Sequence, residues 1–546
     1  MRDALRRYPA LAYLAGAAAL AILLPSALVL PNSGPPTLAE YAPVTGDGEG
    51  VGDMSALGQA GSGGLGFSSG GRRERAAGGE LDGTAGGSVR RIPGTKRCVG
   101  EPPRQTEDPL SPPCVAFFQG DNGGATSKGV TRDEVAVFIR GTRDAGTQRP
   151  TETDCGAAVT PDDDGQDHAC KAFMRYFNER YQTYNRLVRF WLVRGDVTAH
   201  EEALVRRGVF ASVSPYSAVS QAAKHRSLAV GYEGSSRESY RRYPGHVMTF
   251  RPDVEDEVGI AASQICLQLH GRKARYSGNP TDRDRERVFG LWHDDNVTVP
   301  QRLTQALSDT CGLTFAETVT RRDDASAPAR LRSSNVTTVV VILGANYNVP
   351  PTLATNAAWF PEWVIPSSSG SARPDTNGGA RYIDQTQWAN AIGITFDYKR
   401  DDFTEQHWVR AYREGCPPCP DPTPSASAGP RQAPYLYDAL TMLFWGIQAA
   451  GPKLTPENLD RGLHAIPPNR STDPYKPAGY FDPGNWSFVK DATTIWWDPQ
   501  GQPPGSGQPG CWRLPGGGQR YRKGEWPAGD GGLKAAGPCQ GDIYPG

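Results

Sequence analysis

Net charge is the first thing missing from this chain: 58 lysines and arginines offset 59 aspartates and glutamates over 546 residues. A chain without a field of one sign does not steer toward nucleic acid or an acidic membrane surface, so no nucleic-acid partner is expected. Catalytic signatures are missing as well. The globular stretch from Gly129 onward holds no G-x-S-x-G elbow, H-E-x-x-H helix, Walker A loop or metal-ligand spacing. His200, His225, His246, His270 and His293 are scattered, with no nucleophile or ligand partner near them in sequence. The expectation is a protein that is not an enzyme and carries neither cofactor nor metal. Long apolar runs are missing with one exception, LAYLAGAAALAILLPSALVL at residues 11–30, long enough to cross a bilayer as a helix. Arg2, Arg6 and Arg7 precede it, a flank that stays cytoplasmic and places everything after residue 30 outside. An uncleaved anchor is expected, because the following PNSGPPTLAE lacks a clean A-x-A site; a cleaved signal peptide is the alternative.

What is abundant is glycine and proline, 64 and 47 residues crowded toward the two ends. Residues 31–128 have too little apolar surface to offset the entropy of ordering and read as a disordered extracytoplasmic linker. Residues 514–546 read as a Gly/Pro-rich tail, and Cys511 with Cys539 would staple Trp512, Tyr521 and Trp526 into a small appendage. Ten cysteines, an even number, suit an oxidising exterior. Sequential pairing is the simplest arrangement, Cys98 with Cys114, Cys155 with Cys170, Cys266 with Cys311, Cys416 with Cys419 and Cys511 with Cys539, although spacing alone does not dictate connectivity. Cys416-Pro417-Pro418-Cys419 also has redox spacing, but no strand precedes it, so a staple is the preferred reading.

Between the ends, strand and helix patterns alternate. Residues 135–139, 187–193, 209–213 and 228–232 are apolar, β-branched runs, and helical periodicity marks 169–181, 199–207 and 217–226. A second set follows a connection at 250–253: helices at 254–269 and 299–307, strands at 288–292, 313–319, 336–343 and 363–365. Alternation of this kind builds parallel doubly wound sheets, and two sets argue for two lobes with a cleft between them. In such sheets ligands collect at the carboxyl ends of the strands. The loops expected there are Ser214-Pro215-Tyr216-Ser217 and Glu233-Gly234-Ser235-Ser236 in the first set. In the second set they are His293-Asp294-Asp295, the turn containing Tyr347, and Pro366 to Ser369.

GVTRDEVAVFIRG, AFMRYFNERYQTYNRLVRFWLVRGD, GVFASVSPYSAVSQAA, APYLYDALTMLFWGIQAAG and GYFDPGNWSFVKDATTIWWDPQG, in that order from Gly129 to Gly501, resemble type 1 periplasmic solute-binding proteins. That group contains the leucine/isoleucine/valine-binding protein. The resemblance implies an α/β fold of two Rossmann-like lobes with a ligand cleft and three hinge crossovers. Lobe 1 would hold 129–250 and 394–475, and lobe 2 would hold 251–393 and the closing strands at 476–513. It further implies a small-molecule ligand delivered to an ABC transporter permease. Lobe 1 hydroxyls and N–H groups would bind a carboxylate through Ser214, Tyr216, Ser217, Glu233, Ser235 and Ser236. Lobe 2 would close with Tyr347, Asp294, Asp295 and Ser367. Where amino-acid-binding relatives place an acidic residue, 366–369 offers only serines, and Asp294, Asp295 or Glu233 would have to meet an ammonium. A tethered sensor or scaffold that keeps the fold without transport is the alternative function.

Overall fold

The computed structural model describes residues 118–543, less 142–150, 368–374, 423–431, 469–476 and positions 219 and 345, together with short pieces between 90 and 115. The expected anchor at 1–30, most of the linker, and Cys114 with its expected bridge to Cys98 lie outside the described residues. Among the described residues no helix is long and apolar enough to cross a membrane. Within the expected linker, β1 (Arg90–Ile92), β2 (Thr95–Val99) and β3 (Arg104–Gln105) pair as a small antiparallel sheet, which corrects the expectation of a wholly disordered spacer.

Two larger sheets follow. The first is built from β4 (Glu134–Arg140), β5 (Thr151–Asp154), β6 (Leu187–Arg194), β7 (Ala211–Ser217), β8 (Leu228–Glu233) and β9 (Val247–Thr249), in the order β5-β6-β4-β7-β8-β9. Every pairing is parallel except that of the edge strand β5 with β6. Its helices begin with α1 (Gly165–Arg180), then α2 (Val197–Arg207), α3 (Ser220–Lys224) and α4 (Arg237–Arg242). Asp164 starts α1 with a capping box, its carboxylate accepting the N–H groups of Gln166 and Asp167.

The second sheet follows α5 (Val254–Gln264). It contains β10 (Phe289–His293), β11 (Glu317–Thr320), β12 (Thr338–Ile342), β13 (Glu362–Ile365) and β14 (Ala391–Thr395), interleaved with α6 (Thr298–Cys311), α7 (Ala327–Ser333), α8 (Val349–Asn356), α9 (Asn377–Arg381) and α10 (Gln385–Trp388). The order is β11-β10-β12-β13-β14, all parallel. β12 shows why its run of β-branched residues forms a strand. Val339 and Val341 face a core with Trp292 and Trp363, while Val340 and Ile342 face α5 and α6 on the other side.

The chain then recrosses. α11 (His407–Gly415), α12 (Ala433–Ala450) and α13 (Pro456–Ala465) pack on the first sheet, sharing one core with β4, β6, β7 and β8. β15 (Ala492–Asp498) returns to extend the second sheet antiparallel to β14, and β16 (Cys511–Arg513) pairs antiparallel with β15. The passes between sheets lie near 250–253, 396–406 and 487–491. The first and third run side by side, with Phe488 N–H donating to Thr249 O at 2.9 Å and Val489 N–H to Phe250 O at 2.9 Å. The architecture is mixed α/β with two parallel-sheet lobes.

Four of the expected disulfides are present, Cys155–Cys170, Cys266–Cys311, Cys416–Cys419 and Cys511–Cys539. The tail departs from expectation. It is built into lobe 2: β17 (Arg520–Tyr521) pairs with β15, and Trp526 and Leu533 are buried in the core beside α5 and α6. Two buried tryptophans and a pair of aromatic contacts are enough apolar area to draw a glycine-rich segment onto the sheet.

Candidate functional site

Each lobe has one place where successive crossovers leave in opposite directions. In lobe 1 the chain goes from β4 to β6 on one side and to β7 on the other, so the carboxyl ends of β4 and β7 form a crevice. In lobe 2 the corresponding crevice lies between β10 and β12. The lobe 1 crevice is lined by Ile139, Arg140, Pro215, Gln432 and Ala433 around a cavity of about 20 Å³. The lobe 2 crevice is bridged: Asp294 accepts the Gly344 N–H at 2.8 Å and, through its other oxygen, the Asn296 N–H at 3.0 Å. Beside it, between β10, β11 and α6, a cavity of about 370 Å³ is lined by Leu291, His293, Val297, Pro300, Thr304 and Thr318. The first cavity draws its walls from lobe 1 and the second from lobe 2.

The expected ligand contacts are placed as follows. Ser214 is fully buried, its hydroxyl accepting the Tyr216 N–H at 3.2 Å. Ser214 to Ser217 is not a free loop but the end of β7, with a bulge between Ser214 and Ser217 and the Ser217 backbone paired to Glu233. Proline at 215 cannot donate to a ladder, and the bulge is where the strand tolerates it. Ser236 caps α4 by accepting the Ser239 N–H at 3.2 Å, and the Ser235 carbonyl accepts the Val254 N–H at 3.1 Å. Just before them, Gly234 passes so close to the first crossover that a Cβ would lie 1.9 Å from Pro252 O. Tyr347 is buried, and its hydroxyl accepts the Leu343 N–H at 3.2 Å. Asp295 is exposed and paired with the exposed Arg322 at 3.2 Å.

Two of the expected residues, one from each lobe, are brought together by a side chain that sequence reasoning missed. Arg251, only 1% exposed, continues from β9 into the first crossover. Its Nη1 lies 3.4 Å from Glu233, and its Nη2 donates to Ser367 O at 3.1 Å and Ser367 Oγ at 3.0 Å. Glu257 of α5 lies 3.5 Å from the same nitrogen, and the guanidinium stacks 5.2 Å from the Phe396 ring centroid. Ser367 Oγ in turn donates to Asp375, which also accepts from Thr395 Oγ1, both at 2.8 Å. The available signal was the tetrad Phe250-Arg251-Pro252-Asp253, a cation immediately before a proline and a helix cap where the chain leaves a strand.

Burial sets the electrostatics around this network. Asp253, which caps α5, has its carboxyl pushed up by burial and by neighbouring Asp256, partly opposed by Arg237 at 3.1 Å. Behind β7, His200 Nε2 is 2.8 Å from Ser212 Oγ; burial, reinforced by Arg140, lowers its pKa to about 4 and keeps the ring neutral. Among the described residues no three His, Cys, Asp or Glu side chains gather in a way that would hold a metal ion. The arrangement places hydroxyls, backbone N–H groups and opposite charges at the carboxyl ends of the strands, most of them bonded to one another within the protein.

A chain of two parallel-sheet α/β lobes, threaded three times between them, defines the class. No family model matches it, and no curated protein does. Among solved structures it is similar to an ABC transporter substrate-binding protein from Desulfitobacterium hafniense, at 14% identity and a TM-score of 0.44 over 67% of this chain and 97% of that one. It is also similar to a solute binding protein of an ABC transporter from Rhodopseudomonas palustris, in complex with p-hydroxybenzoic acid, at 10% identity, TM-score 0.46, 72% of this chain and 98% of that one. A third is the branched-chain amino acid transporter substrate binding protein LivJ from Streptococcus pneumoniae, in complex with isoleucine, at 11% identity, TM-score 0.41, 67% and 96%.

Proposed function

We propose that this chain is an extracytoplasmic solute-binding protein that captures a small polar or amphipathic organic molecule between its lobes and hands it to an ABC transporter. The observation that carries the reading is the pair of like-ordered sheets, each with its crevice at the strand carboxyl ends, joined by three passes of chain. A hinge of that kind lets a ligand held by both lobes shift the molecule toward a closed form, which a membrane partner can distinguish from the open one. Ser214, Tyr216, Ser217, Glu233, Ser235 and Ser236 are the proposed contacts from lobe 1, and Asp294, Asp295, Tyr347 and Ser367 those from lobe 2. Four disulfides among the described residues suit a location outside the cytoplasm, on the far side of the apolar run at 11–30. Native mass spectrometry of the purified chain, followed by thermal-shift titration with amino acids, amides and aromatic acids, tests the reading. A saturable stabilisation is expected, weakened by Glu233→Gln; no shift with any solute class overturns it.

Arg251 favours a second reading. Its guanidinium already spans Glu233 and Ser367, so the chain's own cation stands between two proposed ligand contacts. A tethered sensor or scaffold would use such a filled hinge without transport, and for it the same titration stays flat.

A further inference from the structure

The segment after β16 does more than finish a sheet. Arg520 on β17 is buried, and its guanidinium is spent on two different crossovers. Nε donates to Asp491 Oδ1 at 2.7 Å and Nη2 to Asp491 O at 2.8 Å, on the third pass. Nη2 also donates to Phe396 O at 2.9 Å and Nη1 to Asp397 O at 2.8 Å, on the second. Farther on, Gln540 accepts the Arg400 N–H at 2.8 Å and donates to Tyr398 O at 2.9 Å. Gly541 N–H donates to Arg400 O at 3.0 Å, and Gln406 Nε2 to Asp542 O at 2.7 Å. The fit is backbone against backbone: a Cβ on Gly541 would lie 2.1 Å from Asp401 O.

The same stretch is fastened to lobe 2. Asn377 donates to Gln540 O at 2.6 Å, Arg381 pairs with Asp542 at 3.0 Å, and the Cys511–Cys539 bridge anchors the approach. From the other side, Tyr232 of lobe 1 donates to Asp397 Oδ1 at 2.8 Å, and Arg400 to Asp397 Oδ2 at 2.8 Å. A hinge moves by changing φ and ψ at a few residues, which requires their N–H and C=O groups to turn. Here the carbonyls of 396, 397, 398, 400 and 491 are already held, and each would have to give up a buried partner to rotate.

We infer that residues 520–542 are a clasp over the second and third crossovers that sets the resting angle and stiffness of the hinge. The inference rests on the hinge-closure reading above and adds its regulation: closure costs the release or deformation of this clasp. In the full chain, spin labels on p-acetylphenylalanine introduced at exposed Glu202 and Ser308 report the distance between lobes without ligand. Gln540→Ala, which removes contacts to Arg400 and Tyr398 and leaves the Arg520 guanidinium intact, is expected to broaden that distance distribution. It should also speed amide exchange at 396–401 by about tenfold, with the rest of the molecule unchanged. Arg520→Gln is expected to do both more strongly; should it fail to fold, Gln540→Ala decides alone. An unchanged distribution, or a broader one with unchanged exchange at 396–401, overturns the clasp. Because no ligand enters the measurement, a chain that binds no solute refutes the transport reading without touching this result, and a rigid hinge in both variants refutes the clasp without touching the titrations.

Discussion

The two lobes share one strand order and are completed by different means. Lobe 1 receives its last cover from α11 to α13, helices that arrive only after the chain has visited lobe 2, and its core is one apolar cluster centred on Phe177, Tyr437 and Phe444. Lobe 2 is completed by its own tail and is pinned by charge. Arg287 is buried with Glu362 at 2.7 Å and Asp530 at 3.1 Å, so the tail is tied to β13 through an ion triad. Strand order alone therefore leaves open where a sheet's cover comes from: helices that arrive after a visit to the other lobe in one case, and in the other a contiguous tail seated by Trp526 and Leu533 and tied down by buried charge.

Arg287→Leu is the hardest blow to that contrast. It strands two buried carboxylates, and about 3–5 kcal/mol of stability should be lost on denaturant unfolding. The loss should appear as a lobe 2 transition moving ahead of lobe 1; a coincident shift of both would erase the distinction. Lobe 1 answers to acid instead. His200 is buried and neutral with its pKa near 4, below the 6.5 of the exposed side chain, so the unfolded state binds the extra proton as pH falls below 6.5. Stability is therefore full above that pH and is lost on the way down. At pH 4.5 the cost is about 2–3 kcal/mol, absent in His200→Phe, and pH-dependent calorimetry of the two proteins checks it. Ser367→Ala tests the contact between the lobes. Losing the hydrogen bonds to Arg251 and Asp375 should cost about 1–2 kcal/mol and widen the inter-lobe distance distribution. The smallest effect belongs to Asp295→Ala, an exposed pair with Arg322, expected to change stability by less than about 0.5 kcal/mol; a larger change in melting would place that pair in the closure contacts.

The core strands were legible because residues buried on both faces leave continuous β-branched runs, as at Val339, Val340 and Val341. β5 was not, since Thr151-Glu152-Thr153-Asp154 carries no apolar side chain and owes its place to pairing with β6. β9 was hidden for a related reason: three residues are too few to show a period. At the site, Ser214 to Ser217 read as a loop because proline and serine usually make one, and the bulge that keeps them in β7 depends on β8 alongside. Arg251 and Arg520 escaped notice because the contacts that give them their place, to Ser367 for one and to Phe396 and Asp397 for the other, join distant parts of the chain, and the tetrad around Arg251 marks a turn into a helix without naming its partner. Cysteine pairing was readable since each described bridge joins neighbours in sequence, and the tail was misjudged because composition counts its glycines and not the few aromatics that seat it.

The threefold threading also dictates an order of assembly. β4 to β9 leave the ribosome long before α12, the helix that must cover them, so half of lobe 1 waits with an oily face uncovered while lobe 2 is being made. A nascent chain in that position needs either a holding chaperone or a quick handover, and cutting the gene at a lobe boundary would yield two fragments that each lack a wall.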